Sequence, residues 1–379
     1  MTPTPHSTGP SREPLPCRVA FVHDWLNGMR GGEKVLEAML EVLPEADIYT
    51  LLLERDKISQ KIAARPITTS FVQRLPFARR MYRYYLPFFP PAIERFDLDG
   101  YDLVVSTSHC VAKGANVPRD RLHIAYIHTP ARYLYGFREE YLGSSLLKRA
   151  GMALFAPGLR RWDQRTVERV DHFIANSTNV AARIREYYGR EAHVIHPPVD
   201  TAFFTPGNEP PKDFFLVVSA LVPYKRIELA VETFNRLRLP LVVVGRGPLR
   251  RRLEQSARST VTFLGWLPDE EVRTLIQQCR ALVFPGEEDF GIVPVEAMAC
   301  GRPVIAFRRG GALETVFENE TGLFFDEQTP ESLTEAVERF ERASFDPATC
   351  RRHAEAFSKE RFHREFRDFV LAQYREYST

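Results

Sequence analysis

Several classes of protein are excluded by what this sequence lacks. Its five cysteines are scattered and form no C-x-x-C pair, which argues against a zinc site or a disulfide framework and fits a reducing cytoplasm. No run approaches the roughly 18 apolar residues of a transmembrane helix. The 51 basic and 49 acidic residues leave a formal charge of +2, which gives no overall field to attract nucleic acid. We therefore expect a cytoplasmic protein that has no nucleic-acid partner.

The first residues also lack the features of a targeting signal. Residues 1–16 are rich in Pro, Ser and Thr and contain no apolar core. We expect this segment to be a disordered leader and not a signal peptide.

The remaining sequence has the composition and periodicity of a globular α/β protein. At 44% apolar and 26% charged residues it is typical of soluble proteins, and its length suffices for two domains. Strand and helix patterns alternate in two series, at residues 17–199 and 213–358, with a Pro- and Gly-rich linker at 200–212. This order predicts two doubly wound, Rossmann-like domains that face each other across a cleft. The predicted strands are at residues 18–22, 48–52, 103–106, 123–127, 172–175 and 194–196, and then at 214–219, 241–244, 261–264, 281–284 and 303–306.

Two glutamates stand on either side of a predicted loop in the second series. Glu288 follows the strand at 281–284. Glu296, separated from Glu288 by seven residues, lies in a helix that begins near Pro294. Ligands bind at the carboxyl ends of strands in open α/β sheets, so both carboxylates can face the cleft. Such acceptor-only groups suit the hydroxyls of a sugar and a ribose. The alternative is an exposed glutamate beside one on a helix surface, and the spacing alone does not decide.

A glycine loop follows the first predicted strand. Gly31 and Gly32 precede a helix, where backbone N–H groups can approach a phosphate; a simple tight turn is the alternative. The spacing is G-x-x-G-G and not G-x-G-x-x-G, and no acidic residue is placed as a dinucleotide site requires. A dehydrogenase is therefore disfavoured.

Basic residues follow three other predicted strands. Lys225 and Arg226 come after the first strand of the second series, where they can neutralise a diphosphate leaving group. His128 and His109 follow two strands of the first series, at the edge of the cleft. In each case the alternative is an ordinary solvated or hydrogen-bonded side chain. The one D-x-D triplet, at 97–99, precedes a strand and is expected to be a surface turn, so we predict no metal site.

Residues 288–304 resemble the E-x7-E motif of retaining GT-B glycosyltransferases of family 4, usually E-G-F-G-[LIV]-x-x-x-E-A-M-A-x-G-x-P-V. Asp289 stands where glycine is usual. Weaker matches extend over residues 18–378, and the chain resembles bacterial mannosyltransferases of polysaccharide or O-antigen assembly. The resemblance implies the GT-B fold, with an acceptor-side first domain, a nucleotide-sugar-binding second domain, and a terminal helix at 359–379 that packs back on the first domain.

The same resemblance implies roles for individual residues. Glu288 is expected to contact the donor sugar and Glu296 the ribose, while Lys225 stabilises the diphosphate and His128 positions the reactants. Ala220 stands where the family has a phosphate-binding arginine, for which Arg226 or Arg246 would substitute. The implied catalytic residues are Glu288, His128 and Lys225; the implied donor-binding residues are Gly31, Gly32, Lys225, Arg226, Gly291, Ile292, Val293 and Glu296; and the implied acceptor-side residues are His109, Arg132 and Tyr133.

Two further segments resemble family signatures. Residues 128–133, His-Thr-Pro-Ala-Arg-Tyr, resemble a signature of bacterial transferases that use GDP-mannose-like donors. Gly310 and Gly311 resemble a family loop whose backbone amides reach the diphosphate or sugar; a glycine hinge is the alternative. The expected activity is retaining, metal-independent transfer of a hexose, with mannose favoured, from a nucleotide diphosphate sugar. The expected acceptor is a lipid-linked oligosaccharide or a polysaccharide, and no cofactor is expected.

Two different functions remain open at this stage. The first is a non-catalytic module that binds nucleotide or carbohydrate, because Ala220 replaces an expected arginine. The second is a GT-B nucleotide-sugar epimerase, which would use one nucleotide sugar and no acceptor.

Arginines stand beside aromatic residues in segments 73–96 and 146–162. Cations that flank exposed apolar side chains suit an anionic membrane surface, which would make the protein peripheral on the inner face of the cell membrane. The alternative is an ordinary core with solvated arginines.

Overall fold

The computed structural model describes residues 17–135 and 146–378, with the backbone alone for 146–150 and 152. Two sheets, in which all described strands are parallel, form the centres of two domains. The predicted α/β fold class is therefore confirmed. The predicted leader at 1–16 lies outside the described residues.

The first sheet has seven described strands in the order β3-β2-β1-β4-β5-β6-β7. Its central strands are buried over their whole length, which explains the apolar runs at residues 19–22 and 103–105 in the sequence. The edge strand β3, Ile-Thr-Thr, carries one apolar residue and was not predicted. The strands are β1 Val19–His23, β2 Asp47–Thr50, β3 Ile67–Thr69, β4 Leu103–Ser108, β5 Leu122–Ile127, β6 His172–Ala175 and β7 Ala192–Val194.

The second sheet has six described strands in the order β10-β9-β8-β11-β12-β13. The strand order reverses between β8 and β11, and the carboxyl ends on either side of such a reversal form a crevice. The strands are β8 Phe215–Val218, β9 Leu241–Val244, β10 Val261–Gly265, β11 Leu282–Phe284, β12 Val304–Phe307 and β13 Gly322–Phe325.

Helices cover both faces of the two sheets. Several begin at a serine whose hydroxyl accepts a hydrogen bond from the first turn, as Ser177 does from the Val180 amide. The described helices are α1 Gly31–Val42, α2 Gln60–Ala63, α3 Ala78–Met81, α4 Phe89–Ile93, α5 Leu146–Arg165, α6 Thr178–Tyr188, α7 Ile227–Leu237, α8 Arg250–Ser256, α9 Asp269–Gln278, α10 Ile292–Ala299, α11 Ala312–Thr315, α12 Pro330–Arg342, α13 Pro347–Glu355 and α14 Lys359–Tyr377. Over 17–135 and 146–378, none of the helices combines the length and apolar character that a membrane span requires.

The terminal helix α14 packs on the first domain. Phe362, Phe366 and Val370 are fully buried in the same apolar cluster as Phe21 of β1 and Leu36 of α1. Just before α14, Ser358 forms an isolated parallel bridge with Val199, at the end of the first domain. The chain therefore passes to the second domain after Val199 and returns to the first domain near Ser358. The core of the first domain is therefore completed by the last residues of the chain.

A buried carboxyl group lies in the first turn of α1. Glu33 is 3% exposed, and its Oε2 accepts a hydrogen bond of 3.1 Å from the backbone N–H of Arg30. Burial raises the pKa of Glu33 to about 6 because the ionised carboxylate loses hydration.

Replacing Phe366 by alanine tests the contribution of α14 to the first domain. Loss of the buried ring should lower the free energy of unfolding by about 3–5 kcal/mol. Asp368→Ala, on the exposed face of the same helix, should change it by about 0.5 kcal/mol or less. Urea unfolding of the three proteins measures both effects, and equal midpoints for Phe366→Ala and the wild type would contradict the packing described.

The Glu33 carboxyl group predicts a pH-dependent stability. Its folded pKa lies above its unfolded pKa, so its stabilisation is complete below the unfolded pKa and is lost as pH rises through about 6. The free energy of unfolding of Glu33→Gln, taken relative to that of the wild type, should therefore be about 2 kcal/mol higher at pH 8 than at pH 4.5. Unfolding free energies at the two pH values measure this difference. The exposed Glu45→Gln is the control, and a difference for Glu33→Gln no larger than for the control would exclude the raised pKa.

Candidate functional site

The loop between β11 and α10 lies where the carboxyl edges of the two sheets approach each other. Gly286 allows this loop to pack closely, because a Cβ there would lie 2.9 Å from the Cα of Lys225. Gly291 ends the loop with a φ of +85°, a conformation that favours glycine. The loop that carries Glu288 is therefore held against the short 3₁₀ helix Pro223–Lys225.

Glu288 and Lys225 form an ion pair in the cleft. The Lys225 ammonium group contacts Oε1 of Glu288. The Glu288 side chain is 21% exposed and the Lys225 side chain is 14% exposed. The structure thus brings together two of the residues that the sequence assigned to catalysis. The pair presents a donor for phosphate oxygens and an acceptor for hydroxyl groups at one point.

The neighbouring arginines lie elsewhere. Arg226 caps α7 with a left-handed backbone, φ +52°, and its half-exposed guanidinium lies 3.9 Å from Glu228. The Arg246 guanidinium lies 5.8 Å from the centre of the Trp266 ring. Neither arginine joins the pair of Lys225 and Glu288.

Glu296 lies on α10, at a different contact between the domains. Glu296 is buried, and its Oε1 is 3.7 Å from Nζ of Lys34, a residue of α1. The same Nζ lies 3.0 Å from Oδ2 of Asp269. Burial raises the pKa of Glu296, and the Lys34 ammonium opposes this shift. Sequence reasoning missed Lys34, although it stands two residues after Gly32.

The glycine loop touches residues of both domains. A Cβ on Gly31 would lie 3.0 Å from Cδ1 of Ile292, and a Cβ on Gly32 would lie 3.5 Å from Nε2 of His128. Four residues of the predicted site therefore lie side by side at the start of α1. Val293 is partly buried and packs against the core of the second domain.

Three histidines cluster at the carboxyl ends of β1, β4 and β5. The ring centres of His109 and His128 are 6.2 Å apart, and those of His23 and His109 are 6.5 Å apart. Nε2 of His128 is buried and has no hydrogen-bond partner among the described residues. Burial lowers the pKa of His128 to about 3 and also lowers the pKa of His109, so both imidazoles are neutral near pH 7. A neutral imidazole nitrogen can accept a hydrogen bond from a hydroxyl group.

Asp24 contacts His109 and the backbone of the residues that follow it. Its buried carboxylate accepts hydrogen bonds of 2.7–2.9 Å from the four backbone N–H groups of residues 109–112. Oδ2 also lies 3.2 Å from Nδ1 of His109. The sequence signal for Asp24 was its position directly after β1, which sequence reasoning overlooked.

Arg132 and Tyr133 point in different directions. The Arg132 guanidinium donates to Oδ2 of Asp289, with a distance of 3.0 Å from Nε. The Tyr133 hydroxyl lies 3.2 Å from Sγ of Cys110, and the ring packs against the first-domain core. Of these two acceptor-side candidates, Arg132 contacts the second domain.

Gly310 and Gly311 support the loop that carries Glu288. The Gly311 amide donates to the carbonyl oxygen of Glu288 at 2.9 Å. A Cβ on Gly310 would lie 2.3 Å from the same oxygen, so a larger residue would displace the loop. Glu314, just beyond, accepts from the amides of Thr178 at 2.8 Å and Asn179 at 3.0 Å, which places a carboxylate at the N-terminus of α6.

A cavity of about 230 Å³ opens between the two domains. Its wall combines guanidinium, amide, phenol and carboxylate groups, a set that suits a ligand with many hydroxyl groups. Over 17–135 and 146–378, no three His, Cys, Asp or Glu side chains have an arrangement that would hold a metal ion. The residues that line the cavity are Arg132, Asn179, Arg183, Tyr187, Glu287, Glu288 and Asp289.

Solved structures with a similar fold cover almost the whole chain. HepE of Anabaena in complex with UDP superposes with a TM-score of 0.71 at 16% identity, over 94% of this chain and all of that one. Sucrose-phosphate synthase of Thermosynechococcus elongatus gives 0.70 at 19% identity, over 95% of this chain and all of that one. The two domains therefore have the GT-B arrangement that the resemblance implied.

Curated sequences are similar over part of the chain. An uncharacterized glycosyltransferase of Methanocaldococcus jannaschii is 31% identical over 172 residues, which is 44% of this chain and 48% of the relative. The O-antigen chain mannosyltransferase C of Escherichia coli is 32% identical over 196 residues, which is 46% of this chain and 52% of the relative. The chain thus spans about half of the length of these two relatives.

Two family models match the chain, one for each domain. The model described as "Glycosyltransferase Family 4" matches residues 29–203, and the model described as "Glycosyl transferases group 1" matches residues 199–359. Together they extend over most of the chain, which belongs to the family of glycosyltransferases that these models describe.

Proposed function

We propose that this protein transfers a hexose, with mannose favoured, from a nucleotide diphosphate sugar to a lipid-linked oligosaccharide or polysaccharide acceptor. The transfer retains the anomeric configuration and uses no metal ion. The observation that carries this proposal is the ion pair of Lys225 and Glu288 at the carboxyl edge of the second sheet, facing the first domain.

Lys225 stabilises the leaving group in this proposal. As the bond between C1 and the phosphate oxygen breaks, negative charge develops on the diphosphate. An ammonium group that is already fixed in a partly dehydrated cleft stabilises this charge without reorganisation. Glu288, held beside it, accepts hydrogen bonds from the hydroxyl groups of the donor sugar.

The other site residues bind and orient the reactants. The neutral His128 imidazole, next to Gly32, accepts a hydrogen bond from a sugar hydroxyl, and Glu296 binds the ribose. The acceptor attacks on the face from which the diphosphate departs, and a phosphate oxygen takes the acceptor proton. Retention follows from attack on this face, and it rests on the resemblance to retaining enzymes.

Two similarities support mannose, and a third supports a nucleotide-linked donor. Residues 128–133 resemble a signature of transferases that use GDP-mannose-like donors, and one curated relative is an O-antigen chain mannosyltransferase. HepE, which shares the fold, has been solved with UDP and with UDP-glucose. We favour GDP-mannose for this chain.

The catalytic assignment predicts the effect of two substitutions. Glu288→Gln and Lys225→Ala should each lower kcat by about 100-fold or more, because each removes a charge from the reacting centre. Steady-state transfer assays measure the effect, and circular dichroism verifies folding. The control is Glu338→Gln, on the exposed face of α12, which should retain wild-type activity.

The same assay distinguishes the alternatives. A binding module would neither hydrolyse nor transfer the donor, and an epimerase would form product without a glycosidic bond. Near-normal transfer by both Glu288→Gln and Lys225→Ala would contradict the proposed mechanism.

We propose further that one face of the first domain docks on an anionic membrane that presents the acceptor. Phe77 is 77% exposed, and Tyr84, Phe88 and Leu154 are also largely exposed. Trp162 of α5 packs in the apolar cluster that contains Tyr82 and Phe89, so the two segments are neighbours. Part of the predicted segment 146–162 lies outside the described side chains. The exposed arginines beside Phe77 are Arg79 and Arg80.

Flotation with vesicles tests this surface. The wild type should float with anionic vesicles and not with neutral ones. Arg79→Glu/Arg80→Glu should weaken vesicle binding more than about tenfold, because each arginine near an anionic surface contributes about 1 kcal/mol. Arg251→Glu/Arg252→Glu, at exposed positions of α8 in the second domain, is the matched control. Equal binding by both double variants would exclude the proposed face.

A further inference from the structure

The residue that departs from the family motif forms an ionic contact between the domains. Asp289, which stands where glycine is usual, is 7% exposed. Its Oδ1 accepts a hydrogen bond of 2.6 Å from Arg183, and its Oδ2 accepts from Arg132. Its backbone oxygen accepts a third hydrogen bond, of 2.7 Å, from the Ser177 hydroxyl. All three partners belong to the first domain.

The two arginines are themselves held in place. Arg183 of α6 also donates to the Thr129 hydroxyl at 3.2 Å, and the Arg132 guanidinium lies 5.3 Å from the centre of the Tyr224 ring. The side chains of both arginines and of Asp289 are about nine-tenths buried. Removing one partner of such a buried ion pair is strongly destabilising for that contact, because the remaining charge loses its compensation.

The position of Asp289 connects this contact to the reacting groups. Asp289 directly follows Glu288, whose carboxylate is paired with Lys225 of the same domain. Arg132 stands four residues after His128, in the same loop. The contact therefore fixes the loop of Glu288 relative to the loop of His128. The cavity of about 230 Å³ is bounded by residues from both sides of this contact.

We infer that Asp289 is a positioning residue, which clamps the second domain to the first and thereby places Glu288 opposite the acceptor-side loop. This inference rests on the proposed function. A glycine at this position could make the backbone contact with Ser177 but neither ionic contact. The Asp289 carboxylate thus closes the cleft by ionic contacts. With glycine at this position, other contacts would have to close it.

Asp289→Asn and Asp289→Gly test the inference in the full-length protein. Both should increase the radius of gyration measured by small-angle X-ray scattering without nucleotide. Both should lower kcat by about 100-fold, since a misplacement of about 1 Å costs this much, while KM for the donor changes less. Asp326→Asn, which breaks an exposed pair with Arg308 within the second domain, is the matched control and should change neither quantity.

A double-mutant cycle separates the clamp from a general loss of stability. Arg183→Gln should lower kcat as well, and Arg183→Gln combined with Asp289→Asn should be little worse than either single variant, because both remove the same contact. Additive losses would contradict a shared contact.

The two measurements also separate this inference from the proposed function. Unchanged scattering for a folded Asp289→Asn would overturn the clamp, as would changed scattering with a wild-type kcat. A wild type that transfers no sugar would overturn the proposed function, whereas the scattering comparison would still decide whether Asp289 closes the cleft.

Discussion

Contacts between carboxylates and cations join the two domains, and the arrangement of the site depends on them. Within the described residues, every strand of both sheets is parallel, so the loops that follow the strands of each sheet emerge at one edge. Asp289 binds two arginines of the opposite domain, and Lys34 lies between Asp269 and Glu296 at a second point. The pairs of Asp289 are largely shielded from water, and ionic interactions are stronger there than at an exposed surface. Lys34 and Asp269 are partly exposed, whereas Glu296 is buried. Cations of the first domain and carboxylates of the second domain therefore hold the two sides of the cleft together.

The same cleft contains groups suited to binding a charged donor, to accepting a hydrogen bond from a hydroxyl group, and to ordering the loop of His109. Lys225 and Glu288 present a cation and an anion side by side, which fits a sugar attached to a diphosphate. Burial keeps the imidazole of His128 neutral, so its unpartnered Nε2 can accept a hydrogen bond from a hydroxyl group. Asp24 organises the loop that carries His109 through four backbone N–H groups. For the reaction itself, the first domain therefore supplies the uncharged imidazole of His128, and the second domain supplies the ion pair of Lys225 and Glu288.

The sequence predicted the elements whose physical cause is local. Buried parallel strands such as Val304–Phe307 are continuous apolar runs. Residues that follow such strands, Lys225 and Glu288 among them, could be assigned to the cleft. Strand Ile67–Thr69 lies at an edge and has almost no apolar signal. Arg183 and Asp289 are 106 residues apart, and Lys34 and Asp269 are 235 apart. No local pattern indicates such partners, because the fold alone brings them together.

We propose that the cleft between the two domains binds a nucleotide diphosphate sugar. Thermal unfolding of the wild type with GDP-mannose, UDP-glucose or ADP-glucose tests it most directly, because a ligand that binds only the folded state raises Tm with its concentration. We expect a saturable rise in Tm that is largest with GDP-mannose and smaller for Glu296→Gln, because the Glu296 carboxylate is proposed to bind the ribose. The absence of any rise with all three donors at millimolar concentration would contradict it.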